Sequence, residues 1–404
     1  MMDAYTSNWL HLLARWVHIV VGAAWIGTSF YFIWLNNSIR PPETPEDDGE
    51  NVKGVVWSIH GGAFYRTTKY DGAPATLPKT LHWFKWEAYF TWISGIALLI
   101  LIYWSQAYAY MVDPQVADIS AAQAVAIGVG VIVGGWVVYD ILCKTLWRRP
   151  TLLAILGVLL LVGLAYGLTS LLSPRAAYIH IGAVIGTIMA ANVFFNIIPN
   201  QRVMVDAMMA GETPDTTKGA DGAVRSLHNN YLTLPVLFIM VSNHFPFTYG
   251  SQASWAVLVI ISVLGAAVRH WFNLHGQGHN NAYILPAAAV GMIALAFVMK
   301  PAPVAAPTVL ADAGPLWCEV KDVFKKRCTT CHSANPTQEG FPVAPLGMMM
   351  DTPEQIVAKK ESIYERTVVL KTMPLGNLTH ITDEERQLIS DWYNTGALTP
   401  DCPE

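Results

Sequence analysis

Hydrophobic residues gather into eight runs, about 9–35, 86–110, 121–142, 151–172, 176–198, 229–247, 254–274 and 281–299. A helix needs about 20 apolar residues to cross roughly 30 Å of hydrocarbon, so each run predicts a spanning helix. Pro235 interrupts the sixth run, whose apolar centre is short. No basic stretch precedes the first run and no small-residue cleavage site follows it, which reads as a retained signal anchor. Beyond residue 300 the pattern changes. Residues 300–315 are rich in Pro and Ala and suit an extended linker. Residues 316–404 alternate polar and apolar positions as a small soluble domain does. The predicted fold is all-α: an eight-span transmembrane helical bundle over 1–299, the linker, and a small helical domain.

Composition agrees. Hydrophobic residues make up 53% and charged residues 13%, about half the roughly 25% charge of soluble proteins. Disorder, a disulfide mini-scaffold and an ordinary soluble enzyme are excluded. The net charge of −4, with no basic stretch, gives no footprint for nucleic acid. Basic residues concentrate in cytoplasmic loops. Here they occupy the odd loops and their borders: Arg40, Lys53, Arg66, Lys69, Lys79 and Lys85, then Lys144, Arg148 and Arg149, then Arg202, Lys218 and Arg225, then Arg269. The even loops hold only Arg175. The odd loops are therefore expected inside and both termini outside.

Four of the five cysteines lie between Cys318 and Cys402. Among them stands Cys328-Thr329-Thr330-Cys331-His332, the C-x-x-C-H attachment signature of c-type haem. Two thiols one helical turn apart bond the vinyl groups, and the adjacent His supplies an axial imidazole. A zinc site would need a second ligand pair, which the sequence lacks. Met373, on a loop before the final helix, is the expected sixth ligand, with His380 and Met348–Met350 as alternatives. Thr382-Asp383-Glu384-Glu385 reads as a capping box opening that helix. Val320 and Phe324 of the first helix are expected to pack on Leu388 and Trp392 of the last. C-type haem is attached on the outer side of the bacterial inner membrane, where the charge pattern independently places the C-terminus.

The motifs His11-Leu-Leu-Ala-Arg-Trp-Val-His18, Gly22-Ala-Ala-Trp25-Ile-Gly27-Thr-Ser-Phe30, His60-Gly-Gly-Ala-Phe-Tyr65, His82-Trp-Phe-Lys-Trp-Glu87 and Asn243-His244-Phe-Pro246 resemble those of the bacterial membrane-bound urate hydroxylases. In that family an eight-span domain is fused to a C-terminal cytochrome c. The resemblance implies oxidation of urate to 5-hydroxyisourate with water as oxygen donor. It also implies electrons passing through the c-type haem to a respiratory acceptor such as a terminal oxidase. The competing reading is an electron-transfer module that carries electrons from quinol to a terminal oxidase. In class I cytochromes of this kind the first and last helices pack across each other. That predicts a Cys318–Cys402 disulfide, with unpaired thiols at frayed ends as the alternative.

Ionisable residues inside a membrane are costly and usually functional. His11, His18, His180 and His244 fall at similar depth in the outer half. His18 with His180 is the expected pair for a haem b, with His11 and His244 as the alternative pair. Imidazoles hydrogen-bonded between helices are the structural alternative. Urate, a planar anion, suits an Arg fork and amide side chains. The inner-face residues Arg66, Gln201, Arg202 and His228 are the expected substrate ligands, and Glu87 or His82 the expected proton acceptor.

Overall fold

The computed structural model describes residues 4–44, 51–72, 74, 77–251, 253–300, 313–341 and 343–402. Residues 301–312 of the expected linker lie outside the described residues.

The chain opens with α1 (Ala4–Ser38). A hairpin follows, made of β1 (Val52–His60) and β2 (Ala63–Tyr70). Next come α2 (Trp86–Leu98), α3 (Ala107–Tyr110), α4 (Ala121–Leu146), α5 (Pro150–Thr169) and α6 (Pro174–Ala191). Then come α7 (Ile198–Met209), α8 (Thr216–Ser242), α9 (Pro246–Tyr249), α10 (Ser254–Gly276) and α11 (Ile284–Val298). Local signals explain several starts. Ser120 and Gln123 form a reciprocal capping box at α4. Pro150 and Pro174 begin α5 and α6, where the missing N–H has no intrahelical partner to lose. α2 and α6 each continue through a wide π-helical turn, Leu99–Trp104 and Asn192–Ile197. Such turns recur at functional sites.

Among the described residues, six helical segments are long and apolar enough to cross a membrane: Trp9–Ser38, Trp86–Trp104, Ala121–Leu146, Pro150–Thr169, Pro174–Met209 and Ser254–Gly276. The sixth and eighth expected spans fall on α8 and α11. α8 is 27 residues long, but Lys218, Asp221, Arg225 and His228 crowd its first half. α11 is apolar but has only 15 residues.

The all-α expectation needs one correction. Residues 52–70 form an antiparallel hairpin, with Trp57 opposite Arg66 and His60 opposite Ala63. Gly61 and Gly62 make its turn, with φ of 57° and 80°. Two successive positive φ angles are what a tight hairpin turn matched to strand twist requires.

α6 forms the middle of the bundle, packed by α2, α4, α5 and α8. Ala176, Ala177, Tyr178, Ile181 and Met189 are buried there. The C-terminal domain contains α12 (Ala313–Arg327), α13 (Pro353–Val357), α14 (Lys360–Ile363) and α15 (Asp383–Asn394). α12 crosses α15 through Trp317, Phe324 and Trp392, whose rings lie 5.7–6.5 Å apart. Val320 is fully buried in the same core. Cys318 and Cys402 are joined by a disulfide, their Cα atoms 5.6 Å apart.

This domain sits on the end of the bundle built by α3 and α9. Tyr110 of α3 stacks with Phe341. Gly376, at φ 54°, lies so close to the Val112 carbonyl that an added Cβ would fall 2.5 Å from its oxygen. Gly250, just after α9, touches Thr372 and Leu370.

Candidate functional site

One cavity of about 1680 Å³ runs from the interior of the bundle into the C-terminal domain. That exceeds the roughly 300–1,000 Å³ of most single-ligand sites. Its C-terminal part is lined by Cys328, Cys331, His332, Met348, Met350 and Met373. Its bundle part is lined by residues from α1, α2, α6 and α8, among them His11, His18, Gly182 and Gly186, and by His244 just after α8.

The residues of the C-terminal part suit a covalently attached haem. Cys328 and Cys331 are free thiols. Burial pushes the Cys328 thiol up to about 12. His332 Nδ1 lies 3.0 Å from the Met348 carbonyl oxygen. A carbonyl only accepts, so Nδ1 carries the proton and Nε2 is left with its lone pair. Burial lowers the His332 pKa, favouring the neutral form a metal requires. The Met350 N–H donates to the His332 carbonyl, so residues 348–350 flank the proximal imidazole. Met373 lines the cavity, whereas His380 is exposed and does not.

Arg386, unremarked in the sequence, holds the Met373 loop. Buried to 3% exposure, it donates from Nη1 to the carbonyls of Met373, at 2.8 Å, and of Thr367. Its Nε and Nη2 have no hydrogen-bond partner among the described residues. Cys328 is an electrostatic neighbour. Buried orphan donors of this kind match an acidic group such as a haem carboxylate. The signal that could have found it is an Arg on the otherwise apolar face of α15.

His18 and His180 face different surroundings. His18 Nδ1 lies 3.1 Å from the Thr91 carbonyl, which fixes the proton there, and its ring lines the cavity. His180 has no exposed surface. Its Nδ1 donates to the Ala176 carbonyl at 2.8 Å, and its Nε2 accepts from Trp104 Nε1 at 3.1 Å. Both ring nitrogens are therefore in use, and the pair shares no cavity. Among the expected haem b residues, His11, His18 and His244 line the common space.

Residues 4–300 match the Urate oxidase N-terminal family. The chain belongs to that family. No curated protein and no solved structure matches it. In this urate oxidase family member the expected inner-face residues do not converge. Arg66 and His82 are exposed, Arg66 on β2 and His82 against the edge of Phe84. Glu87, in the first turn of α2, is half-buried and does not line the large cavity. Gln201 and Arg202 are exposed on α7. Arg202 borders a separate space of about 460 Å³ with Lys85 and Tyr89.

His228 instead belongs to a buried polar network missed by the sequence reading. Its Nδ1 bonds the Tyr139 hydroxyl at 2.9 Å. Nearby, Arg225 is fully buried, pairs with Asp140 at 2.9 Å and donates to Asn192 Oδ1 at 3.2 Å. Asn192 donates in turn to Tyr139 and Asn229. Asp140 on α4 and Arg225 on α8 are far apart in the chain, so only tertiary packing could reveal the pair.

The end of the bundle under the C-terminal domain carries a second polar group that the sequence reading passed over. Arg175, in the first turn of α6, donates from Nε to Asn243 Oδ1 at 3.0 Å. The Tyr103 hydroxyl donates to the same oxygen at 3.3 Å. The guanidinium lies 5.7 Å from the centre of the Tyr110 ring. Arg175, Asn243, Tyr103, Tyr110 and Tyr249 all line the large cavity.

Proposed function

We propose that the protein is a membrane-embedded urate hydroxylase that delivers electrons to a c-type haem in its own C-terminal domain. Urate gains one oxygen from water to give 5-hydroxyisourate, and two electrons and two protons are released. Cys328 and Cys331 would hold the haem covalently, and His332 and Met373 would ligate its iron. When bound, such a haem accepts electrons one at a time and passes them to a respiratory acceptor such as a terminal oxidase. His332 is oriented by the Met348 carbonyl, and Arg386 fixes the loop that carries Met373.

The observation that carries this reading is the continuity of one cavity from a urate oxidase family bundle to a C-x-x-C-H segment. Electron transfer from quinol to a terminal oxidase would not require a polar pocket between the two. The charge pattern places the C-terminal domain on the periplasmic side of the bacterial inner membrane. Substrate and haem then meet at the same end of the bundle, and no haem b is needed to carry electrons across the bilayer.

The test is turnover of urate by the purified full-length protein, without oxygen, in oxygen-labelled water, with ferricytochrome c as electron acceptor. One labelled oxygen in the product is expected. An unlabelled product, or turnover that requires molecular oxygen, contradicts the reading.

A further inference from the structure

Arg225, Arg269 and Arg175 lie within the helical bundle, and their surroundings differ; Arg15, exposed on α1, also borders the large cavity. Arg225 is neutralised by Asp140 at 2.9 Å, with Asp221 3.8 Å away. Arg269 donates to Asn230 and Asn273 and stacks over Phe30, 4.3 Å from the ring centre. Neither lines the large cavity. Arg175 does, and no carboxylate among the described residues pairs with it. An unneutralised cation facing a cavity in an apolar setting is costly unless an anion visits it.

The neighbours of Arg175 define what that anion looks like. Nε is an obligate donor, so its partner atom in Asn243 must be the oxygen, and this settles the amide orientation. That oxygen already receives Arg175 and Tyr103. The Asn243 Nδ2 group is left as a donor without an acceptor among the described residues. The end of the guanidinium fork and this amide N–H₂ therefore offer donors side by side. Tyr110 supplies a ring below the guanidinium, and Tyr249 adds a further cavity wall. Such a set fits a planar, delocalised anion with adjacent carbonyl acceptors better than a compact inorganic one.

We propose that Arg175 and Asn243 are the binding site for the urate anion, beneath the C-x-x-C-H segment and not at the opposite end of the bundle. The proposal rests on the urate reading above and adds its location. Tyr110 stacks on Phe341 with ring centres 6.3 Å apart, and Phe341 packs with Leu375 and Cys331. Two aromatic rings, Tyr110 and Phe341, then lie between the bound purine and Cys331. Arg175 is also the only basic residue of the even loops, which otherwise carry the carboxylates Asp113 and Asp118.

The test uses the full-length, haem-loaded protein and reads the urate dependence of c-type haem reduction without oxygen. Arg175→Gln removes the fork and should raise the KM for urate about 10- to 100-fold, the worth of a charged hydrogen-bonding pair. Asn243→Asp places a carboxylate against Arg175 and should do the same through a change of only one atom. It decides the matter if the arginine variant does not fold. Arg202→Gln, at the other end of the bundle, should leave KM unchanged. Wild-type KM in both site variants overturns the proposal, as does a rise in KM confined to Arg202→Gln. A shifted haem potential with unchanged KM would assign Arg175 to a haem carboxylate and also overturn it. Failure of urate to reduce the haem in the unaltered protein removes the underlying reading, and the proposal with it.

Discussion

The ring of Tyr110, at the end of the bundle, lies over the ring of Phe341 in the C-terminal domain, with 28° between their planes. The pair joins a domain of the urate oxidase family to a segment of quite different composition. Around it, Gly376 lets its backbone meet the Val112 carbonyl, and Gly250 leaves room for the side chains of Thr372 and Leu370. This seam holds the C-x-x-C-H segment over the cavity.

Loosening the seam should slow electron delivery without affecting haem attachment. Aromatic pairs contribute about 0.5–1.5 kcal/mol beyond their area. Phe341→Ala is therefore expected to leave covalent haem content unchanged and to lower the rate of haem reduction by urate. Stopped-flow absorbance measures the rate, and haem staining of a denaturing gel measures attachment. An unchanged rate would show that docking through this pair does not matter.

The haem ligands make separate expectations. Cys328→Ser combined with Cys331→Ser should abolish covalent haem staining. Met373→Ala should lower the haem potential, because loss of a thioether ligand destabilises the reduced form. Arg386→Leu should lower it in the same direction by releasing the Met373 loop, with the thiols still attached. Haem staining of a denaturing gel reads the first effect, and potentiometric titration of the purified variants reads the other two.

The Cys318–Cys402 bridge closes a loop with a sequence separation of 84 residues. The chain-entropy description assigns a loop of that size about 4–5 kcal/mol, as an upper figure. Cys402→Ser should lower the unfolding temperature of the C-terminal domain in calorimetry. A transition at the unaltered temperature would mean that the bridge contributes little.

Breaking the buried Arg225–Asp140 pair should cost stability and not substrate affinity. Asp140→Asn leaves the buried guanidinium with only the more distant Asp221, 3.8 Å away, and breaking a buried pair costs up to about 3–5 kcal/mol. Protein yield and thermal stability in detergent are expected to fall, with the KM for urate retained in the fraction that folds. Replacing both residues together, Asp140→Leu with Arg225→Met, should restore much of the lost yield.

The sequence carried the helical segments well where apolar length alone decides, as at α4, α5 and α10. The capping box at Thr382 and the crossing of α12 over α15 were also legible, because each follows from local spacing. The hairpin was not read, since its one strong local signal, Gly61-Gly62, lies in a loop dominated by the search for spans. The haem motif is contiguous and so stands out in one dimension. The Arg175–Asn243 pair joins the first turn of α6 to the end of α8, 68 residues apart, and although Asn243 opens one of the quoted motifs, nothing local to either residue points to the other. Charge density drew attention to the opposite end, where Arg66, Gln201 and Arg202 are exposed and do not line the large cavity. His180 looked like a ligand from its depth alone. Its bonds to Ala176 and Trp104 depend on the packing of α2 against α6.

The central claim is that urate is oxidised in this bundle and that its electrons reach the haem of the same chain. Adding urate without oxygen to the purified full-length protein, in its oxidised form, tests this most directly. The account predicts that the c-type haem absorbance changes to that of the reduced state with urate alone. A haem that stays oxidised with urate, yet is reduced by a quinol, would contradict it.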